Sequence, residues 1–254
     1  MFRPRVIPVL LLKNKGLVKS RKFKTHHYIG DPINAVRIFN DLKADELIFL
    51  DIMATRENRL ISLNFIRDTG HETCMPFAAG GGIRTLDDIR AIIQTGAEKV
   101  VIGTKAAEDP DFIHQAAETF GSSTIVVCMD CKRNWLGKLQ VMTRNGCHAT
   151  AIPPVDFAFE MERQGAGEII VQSMEKDGMM TGYDISLTRS IVEAVNIPVI
   201  ALGGAGDLSH LKQLYQKAAP NGLAAGSMFV YKGIHKGVLI NYPEKKNCVF
   251  DTPD

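Results

Sequence analysis

No stretch of this chain approaches the roughly 20 consecutive apolar residues that span a bilayer. The longest apolar runs are short, and one of them, Val6–Leu12, is interrupted by Pro8. Two arginines precede that run and give it the outline of a secretory leader. Lys13, Asn14 and Lys15 follow where a small-residue cleavage site belongs, so a leader is not expected. No membrane partner is expected either. Cysteine is scarce and odd in number, with five among 254 residues. That is not a disulfide framework, and a reducing cytoplasm fits better. An excess of either charge is also missing. Thirty Lys and Arg against 28 Asp and Glu leave a formal charge of +2, which makes no electrostatic case for nucleic acid as a partner. With 45% apolar and 23% charged residues, disorder and collagen-like character are excluded. No linker, low-complexity run or composition break divides the chain, so residues 1–254 are read as one domain.

What is present is a regular alternation. Eight strand-like runs occur: Val6–Leu12, Glu46–Ile52, Met75–Ala79, Lys99–Gly103, Thr124–Asp130, Glu168–Ser173, Pro198–Leu202 and Gly222–Gly226. Helical patterns lie between most of them. In Asp31–Leu42 the residues Ile33, Val36, Ile38 and Phe39 recur at helix-like spacing after the start signal Asp31-Pro32. Eight β-then-α units in a chain of this length predict an α/β protein, a closed (β/α)8 TIM barrel, over an open sheet.

The chain also reads as two copies of one half. Glu46-Leu-Ile-Phe-Leu-Asp-Ile-Met is matched 122 residues later by Glu168-Ile-Ile-Val-Gln-Ser-Met-Glu. At the same offset Pro76-Phe-Ala-Ala-Gly-Gly-Gly-Ile meets Pro198-Val-Ile-Ala-Leu-Gly-Gly-Ala, and Leu86 meets Leu208. A repeat of this length is half a barrel, not a solenoid unit.

In such barrels the working face lies at the carboxyl ends of the strands. Gly80-Gly81-Gly82 and Gly103-Thr104 fall there, with counterparts Gly203-Gly204 and Gly226-Ser227. Glycine lets backbone N–H groups approach an anion, and the hydroxyl of Thr104 or Ser227 adds a donor. One copy reads as a turn. Two copies related by the repeat predict two phosphate cradles on opposite sides of one mouth, for a phosphorylated small-molecule ligand. The basic stretch Lys19–Lys24 follows strand one as a loop that either closes over that ligand or is simply solvated. His26 and His27 lack a third ligand nearby and make poor evidence for metal. No metal and no cofactor are expected.

Asp130, at the end of strand five, is placed for general-base work or for a structural hydrogen bond. The repeat offers a test. Val6-Ile-Pro-Val-Leu-Leu11-Leu-Lys13 aligns with Ile125-Val-Val-Cys-Met-Asp130-Cys-Lys132, which sets Leu11 opposite Asp130. A leucine transfers no proton, so half of any symmetric acid–base pair is missing. Cys128 and Cys131 are three apart in a strand and point to opposite faces, which argues against a chelating or redox pair. At the other end of the barrel Arg5, Glu46, Lys99 and Glu168 stand at or just before strand starts. Charges near a barrel axis are costly unless paired. Spacing alone favours a structural salt-bridge ring over a gate to an axial conduit.

These residues make the chain recognisable. It resembles the HisF family, the cyclase subunit of imidazole glycerol phosphate synthase, over about residues 4 to 235. The resemblance rests on Asp45-Glu-Leu-Ile-Phe-Leu-Asp-Ile, Gly80-Gly-Gly-Ile, Thr119-Phe-Gly-Ser, Asp130-Cys-Lys-Arg, Gly165-Ala-Gly-Glu, Lys176-Asp-Gly, Thr181-Gly-Tyr-Asp and Gly203-Gly-Ala-Gly. It implies a barrel that docks a glutaminase subunit at its amino-terminal face. Arg5, Glu46, Lys99 and Glu168 match that family's ammonia gate, Asp130 its general base, and Lys19 a lysine of its mobile first loop. The phosphate contacts map to Gly81, Gly82, Gly103, Thr104, Gly203, Gly204, Gly226 and Ser227.

The chain also departs from that pattern. Leu11 stands at the family's second catalytic aspartate, Gly103 where asparagine is usual, and Leu202 where serine is usual; Gln172 and Met179 replace threonines. An entrance kept while the chemistry end is changed resembles the paralogues found with surface-polysaccharide genes, which serve a sugar amidotransferase that builds acetamidino groups. Three expectations follow: an ammonia-conducting subunit with reduced or no cyclase activity, an authentic cyclase of histidine biosynthesis, or a phosphosugar-binding scaffold that regulates a glutaminase.

Overall fold

A computed structural model describes residues 3–233, 237–244, 247, 248 and 250. Eight parallel strands form its frame: β1 (Arg5–Lys13), β2 (Leu47–Asp51), β3 (Phe77–Gly80), β4 (Lys99–Ile102), β5 (Ile125–Arg133), β6 (Glu168–Ser173), β7 (Val199–Leu202) and β8 (Gly222–Ala225). Each hydrogen-bonds to the next, and β8 returns to β1 through Arg5↔Gly222 to Pro8↔Ala225, so the sheet closes on itself. All eight strand expectations hold, with ends moved by at most three residues and Glu168–Ser173 unchanged.

Among the described residues there are eight α-helices, but not one per strand. β4 is followed by two, Thr104–Glu108 and Asp111–Phe120, whereas β8 is followed by the single 3₁₀ turn Ser227–Phe229. The helix Pro32–Asp41 starts as expected, with the Asp31 carboxylate accepting the Asn34 N–H at 2.9 Å. It buries Pro32, Ala35, Val36 and Phe39, while Ile38 faces solvent. Ile38 lies about 100° around the helix from Phe39, off the buried stripe.

Alternation along the strands divides the apolar residues into two cores. Outward residues such as Val6, Phe49, Val100 and Ile169 pack against the helices. Inward residues Ile7, Val9, Ile48, Val101, Val126, Ile170 and Ile200 fill the barrel. The interior is therefore layered, as closed barrels of this kind are. A charged layer lies at the amino end, an apolar layer in the middle, and a mixed layer at the mouth. No helix among the described residues is long and apolar enough to cross a membrane.

One expectation needs correcting. The stretch after β1 is not an open loop. Gly16–Arg21 and Thr25–Gly30 form an antiparallel hairpin that extends β1 through Leu11↔Val18 and Lys13↔Gly16. The Lys19 side chain points inward from it and is only 4% exposed.

Candidate functional site

At the amino end, Arg5, Glu46, Lys99 and Glu168 meet in a closed ring. Arg5 pairs with both Glu46 and Glu168. Lys99 Nζ lies 3.0 Å from Glu46 and 3.2 Å from Glu168. Both carboxylates are buried. Burial opposes the charge on Arg5, but the two carboxylates outweigh it and hold the guanidinium above its ordinary range.

At the opposite end a cavity of about 760 Å³ opens between the strand termini. Leu11, Asp130 and Gln172 line it, with Gly81, Gly82, Gly103 and Thr104 on one wall. β1 and β5 are four strands apart in the ring, so Leu11 and Asp130 face each other across the mouth. Gln172 and Asp130 are register partners on β6 and β5. Among the described residues neither side chain makes a hydrogen bond within the protein. Burial, with a smaller contribution from the nearby Asp177 charge, raises the Asp130 carboxyl to about 7.

The other acids here are already engaged. Asp51 accepts from Arg59 at 2.5 Å, and Glu108 from Arg144 at 2.8 Å. Asp177 accepts from the Ser20 hydroxyl at 2.7 Å and the Phe23 N–H at 3.1 Å. None of the three takes the place of an aspartate at position 11. Cys128 faces the barrel interior and Cys131 the outer core, as their spacing predicts. Desolvation raises both thiols. Among the described residues no group of three or more His, Cys, Asp or Glu side chains is arranged to hold a metal.

The two glycine walls differ. Gly81, Gly82, Gly103 and Thr104 border the large cavity. Gly203, Gly204, Gly226 and Ser227 border a separate space of about 30 Å³, which also touches Leu11, Lys19, Gln172 and Leu202. Lys19 Nζ donates to the Val9 carbonyl at 2.6 Å, and burial lowers its pKa to about 7 against the attraction of Asp177.

Several of the glycines are required by packing, whether or not an anion binds. At Gly82, φ is +72°, and a Cβ would lie 1.8 Å from the Arg59 carbonyl oxygen. Gly103 has ordinary φ, and a Cβ there comes no closer than 3.4 Å to the Cys128 carbonyl. Gly82→Ala is therefore expected to cost roughly 2–4 kcal/mol and Gly103→Ala under about 1, which thermal melts of the two variants would compare.

Sequence reasoning missed Asp177 and Ser20, which tie the hairpin to the loop after β6. The Asp177-Gly178 turn was their only trace. A Cβ on Gly178 would sit 2.1 Å from the Ser20 carbonyl oxygen, so the two loops touch backbone to backbone.

The model for the family described as histidine biosynthesis protein matches residues 5–236. A protein of Leptospira borgpetersenii, provisionally named imidazole glycerol phosphate synthase subunit HisF, is 46% identical over 96% of each chain. This chain belongs to the HisF branch of that family. The Pseudomonas aeruginosa protein provisionally named imidazole glycerol phosphate synthase subunit hisF2 is 44% identical over 96% of this chain and 97% of that one. The Alkaliphilus metalliredigens imidazole glycerol phosphate synthase subunit HisF is 40% identical over 92% and 93%. In this HisF-family chain the charged ring and the duplicated glycine walls sit at opposite ends of one closed barrel.

Proposed function

We propose that this HisF-like chain is the synthase subunit of a glutamine amidotransferase. A glutaminase partner docks at the amino-terminal face, and its ammonia enters past Arg5, Glu46, Lys99 and Glu168. It threads the apolar middle layer as neutral NH3 and emerges beside Asp130. There it serves a cytoplasmic sugar amidotransferase that makes acetamidino sugars for surface polysaccharide, and cyclase activity is reduced or lost. The carrying observation is Leu11, an aliphatic side chain facing Asp130 across the mouth while every other acid there is engaged. A positioned proton donor contributes about 10²–10⁴ in rate, so its loss silences the ring-closing chemistry without touching the entrance.

An authentic cyclase of histidine biosynthesis is the second reading. It is favoured by Asp130, Lys19 and the Gly81-Gly82 wall, all of which stand at the mouth. Supplying purified protein with ammonium and the bisphosphorylated aminoimidazole substrate separates the two. Imidazole glycerol phosphate formation is expected about 10²–10⁴-fold below that of a relative with aspartate at position 11, and Leu11→Asp is expected to raise it. Near-normal turnover of the unaltered chain removes the first reading. The acceptor is tested by mixing the chain with the glutaminase and a sugar amidotransferase. Glutamine-dependent amidination that disappears when the barrel is left out supports delivery, and amidination that persists without it leaves only a regulatory scaffold.

A further inference from the structure

We infer that the tail of this chain sets the aperture of the charged ring: the Tyr242 hydroxyl is wedged between the starts of β1 and β2, which makes Tyr242 a positioning residue for the ammonia entrance. The transport half of this inference rests on the entry reading proposed above; the wedge itself does not.

Three observations carry it. First, the hydroxyl stands between backbone groups of two neighbouring strands. The β1–β2 pairing begins at Val9↔Ile48. Three residues earlier in each segment, Val6 and Asp45 fall opposite one another by the same offset. The Tyr242 hydroxyl donates to the Val6 carbonyl at 2.9 Å and accepts the Asp45 N–H at 3.2 Å. The Asp45 carboxylate completes the frame by accepting the Val6 N–H at 3.0 Å.

Second, the half-barrel repeat supplies an internal control. Val6 aligns with Ile125, and the 122-residue offset sets Asp45 against Gly167. In that second half the Gly167 N–H donates straight to the Ile125 carbonyl at 2.9 Å, and β5 and β6 pair from Glu168↔Val126 onward. The phenol therefore occupies a rung that the other half makes directly. Two hydrogen bonds in series hold β1 and β2 further apart than one would. The residues next to the wedge are Arg5 and Glu46, an ion pair of the ring.

Third, the phenol is fixed in place. Among the described residues no helix follows β8. Instead the Leu239 and Asn241 N–H groups donate to the Val230 and Phe229 carbonyls, each at 2.9 Å. The Tyr242 ring is buried, with its centroid 5.6 Å from that of Phe229. Further along, Phe250 lies 5.3 Å from Tyr215 of the helix Leu208–Ala218. Without the hydroxyl, the Asp45 N–H and the Val6 carbonyl either bond directly, which moves Glu46 toward Arg5, or stay apart with both groups unpaired. Each outcome disturbs the ring from one side.

The test is Tyr242→Phe in the full chain, placed in a double-mutant cycle with Arg5→Met and read by Tm. Arg5→Lys takes the place of Arg5→Met if the double variant does not fold. A wedge acting through the Arg5–Glu46 pair makes the two changes non-additive, and their combined loss is expected to fall short of the sum by about 3 °C or more. Phe250→Leu loosens the same tail but leaves the hydroxyl, and is expected to add to the Arg5 change within about 2 °C. In the amidotransferase proposed for this chain, assembled with its glutaminase and a sugar amidotransferase, Tyr242→Phe is expected to lower glutamine-dependent turnover at least threefold relative to turnover with added ammonium. Phe250→Leu is expected to leave that ratio unchanged. Full additivity of Tyr242→Phe with the Arg5 change overturns the inference. So does an unchanged ratio in Tyr242→Phe when Arg5→Met shifts it. If neither variant shifts the ratio, the entry reading fails and the positioning role falls with it, while non-additivity in the cycle still shows Tyr242 as the spacer of β1 and β2.

Discussion

Arg5→Met is expected to lower the unfolding free energy by about 3–5 kcal/mol, the usual result of removing one member of a buried ion-pair set. The arginine contacts both ring carboxylates, and the Glu46 and Glu168 side chains are 3% and 7% exposed. Without it, Lys99 alone must compensate two buried anions. In a chain of this size that is about 6–20 °C in Tm, read by calorimetry. Replacing all four ring residues by aliphatic side chains is expected to cost much less than four such losses, because desolvation is then no longer required of any of them. A drop below about 1 kcal/mol for Arg5→Met would show that the ring is solvated and contributes little. In the amidotransferase proposed for this chain, the same variant should reduce glutamine-dependent turnover more than turnover with added ammonium. A purely structural ring would lower the two equally.

The second large effect is at Asp130. Its carboxyl titrates near 3.8 when unfolded and at about 7 in the fold, chiefly because burial disfavours the anion. The folded chain therefore holds an extra proton between those values. Stability linked to that proton is fully present below about pH 4 and is lost as pH rises through 7. An asparagine side chain has no such proton to lose. Asp130→Asn should leave Tm unchanged near pH 4 and raise it progressively to a plateau above pH 7. The bound is about 4 kcal/mol at 1.36 kcal/mol per unit, reduced by whatever water the cavity admits. Urea titrations at pH 4.5 and 8 check it, and equal stability gains at both pH values would contradict it. Lys19 acts in another window: burial disfavours its ammonium, so the stability linked to it rises from about pH 7 toward the ordinary lysine range.

These two sites were legible to different degrees. The places of Arg5, Glu46, Lys99 and Glu168 at strand starts follow from strand periodicity, and the half-barrel repeat by itself sets Leu11 opposite Asp130. The hairpin was not legible. Lys19–Lys24 is basic and lacks the alternation that marks a strand with one buried face, so it reads as a loop, closing over a ligand or solvated. Its burial depends on Asp177, 157 residues beyond Ser20 in the chain, which no local pattern connects to it. The glycines were legible as glycines but not in their cause. At Gly82 it is the Arg59 carbonyl, across the turn, that excludes a side chain.

Sequence alone therefore determined the strands, the duplication and the leucine opposite Asp130, because each is written in local periodicity or in the comparison of one half with the other, and its motifs carried the family. Only the tertiary structure decided that the charges close into a ring, that Lys19 lies beside the second glycine wall, and that the two halves of the mouth are unequally open. Those are contacts between groups far apart in the chain. Their energies depend on burial and distance, and both are set by barrel closure, not by any neighbour in sequence.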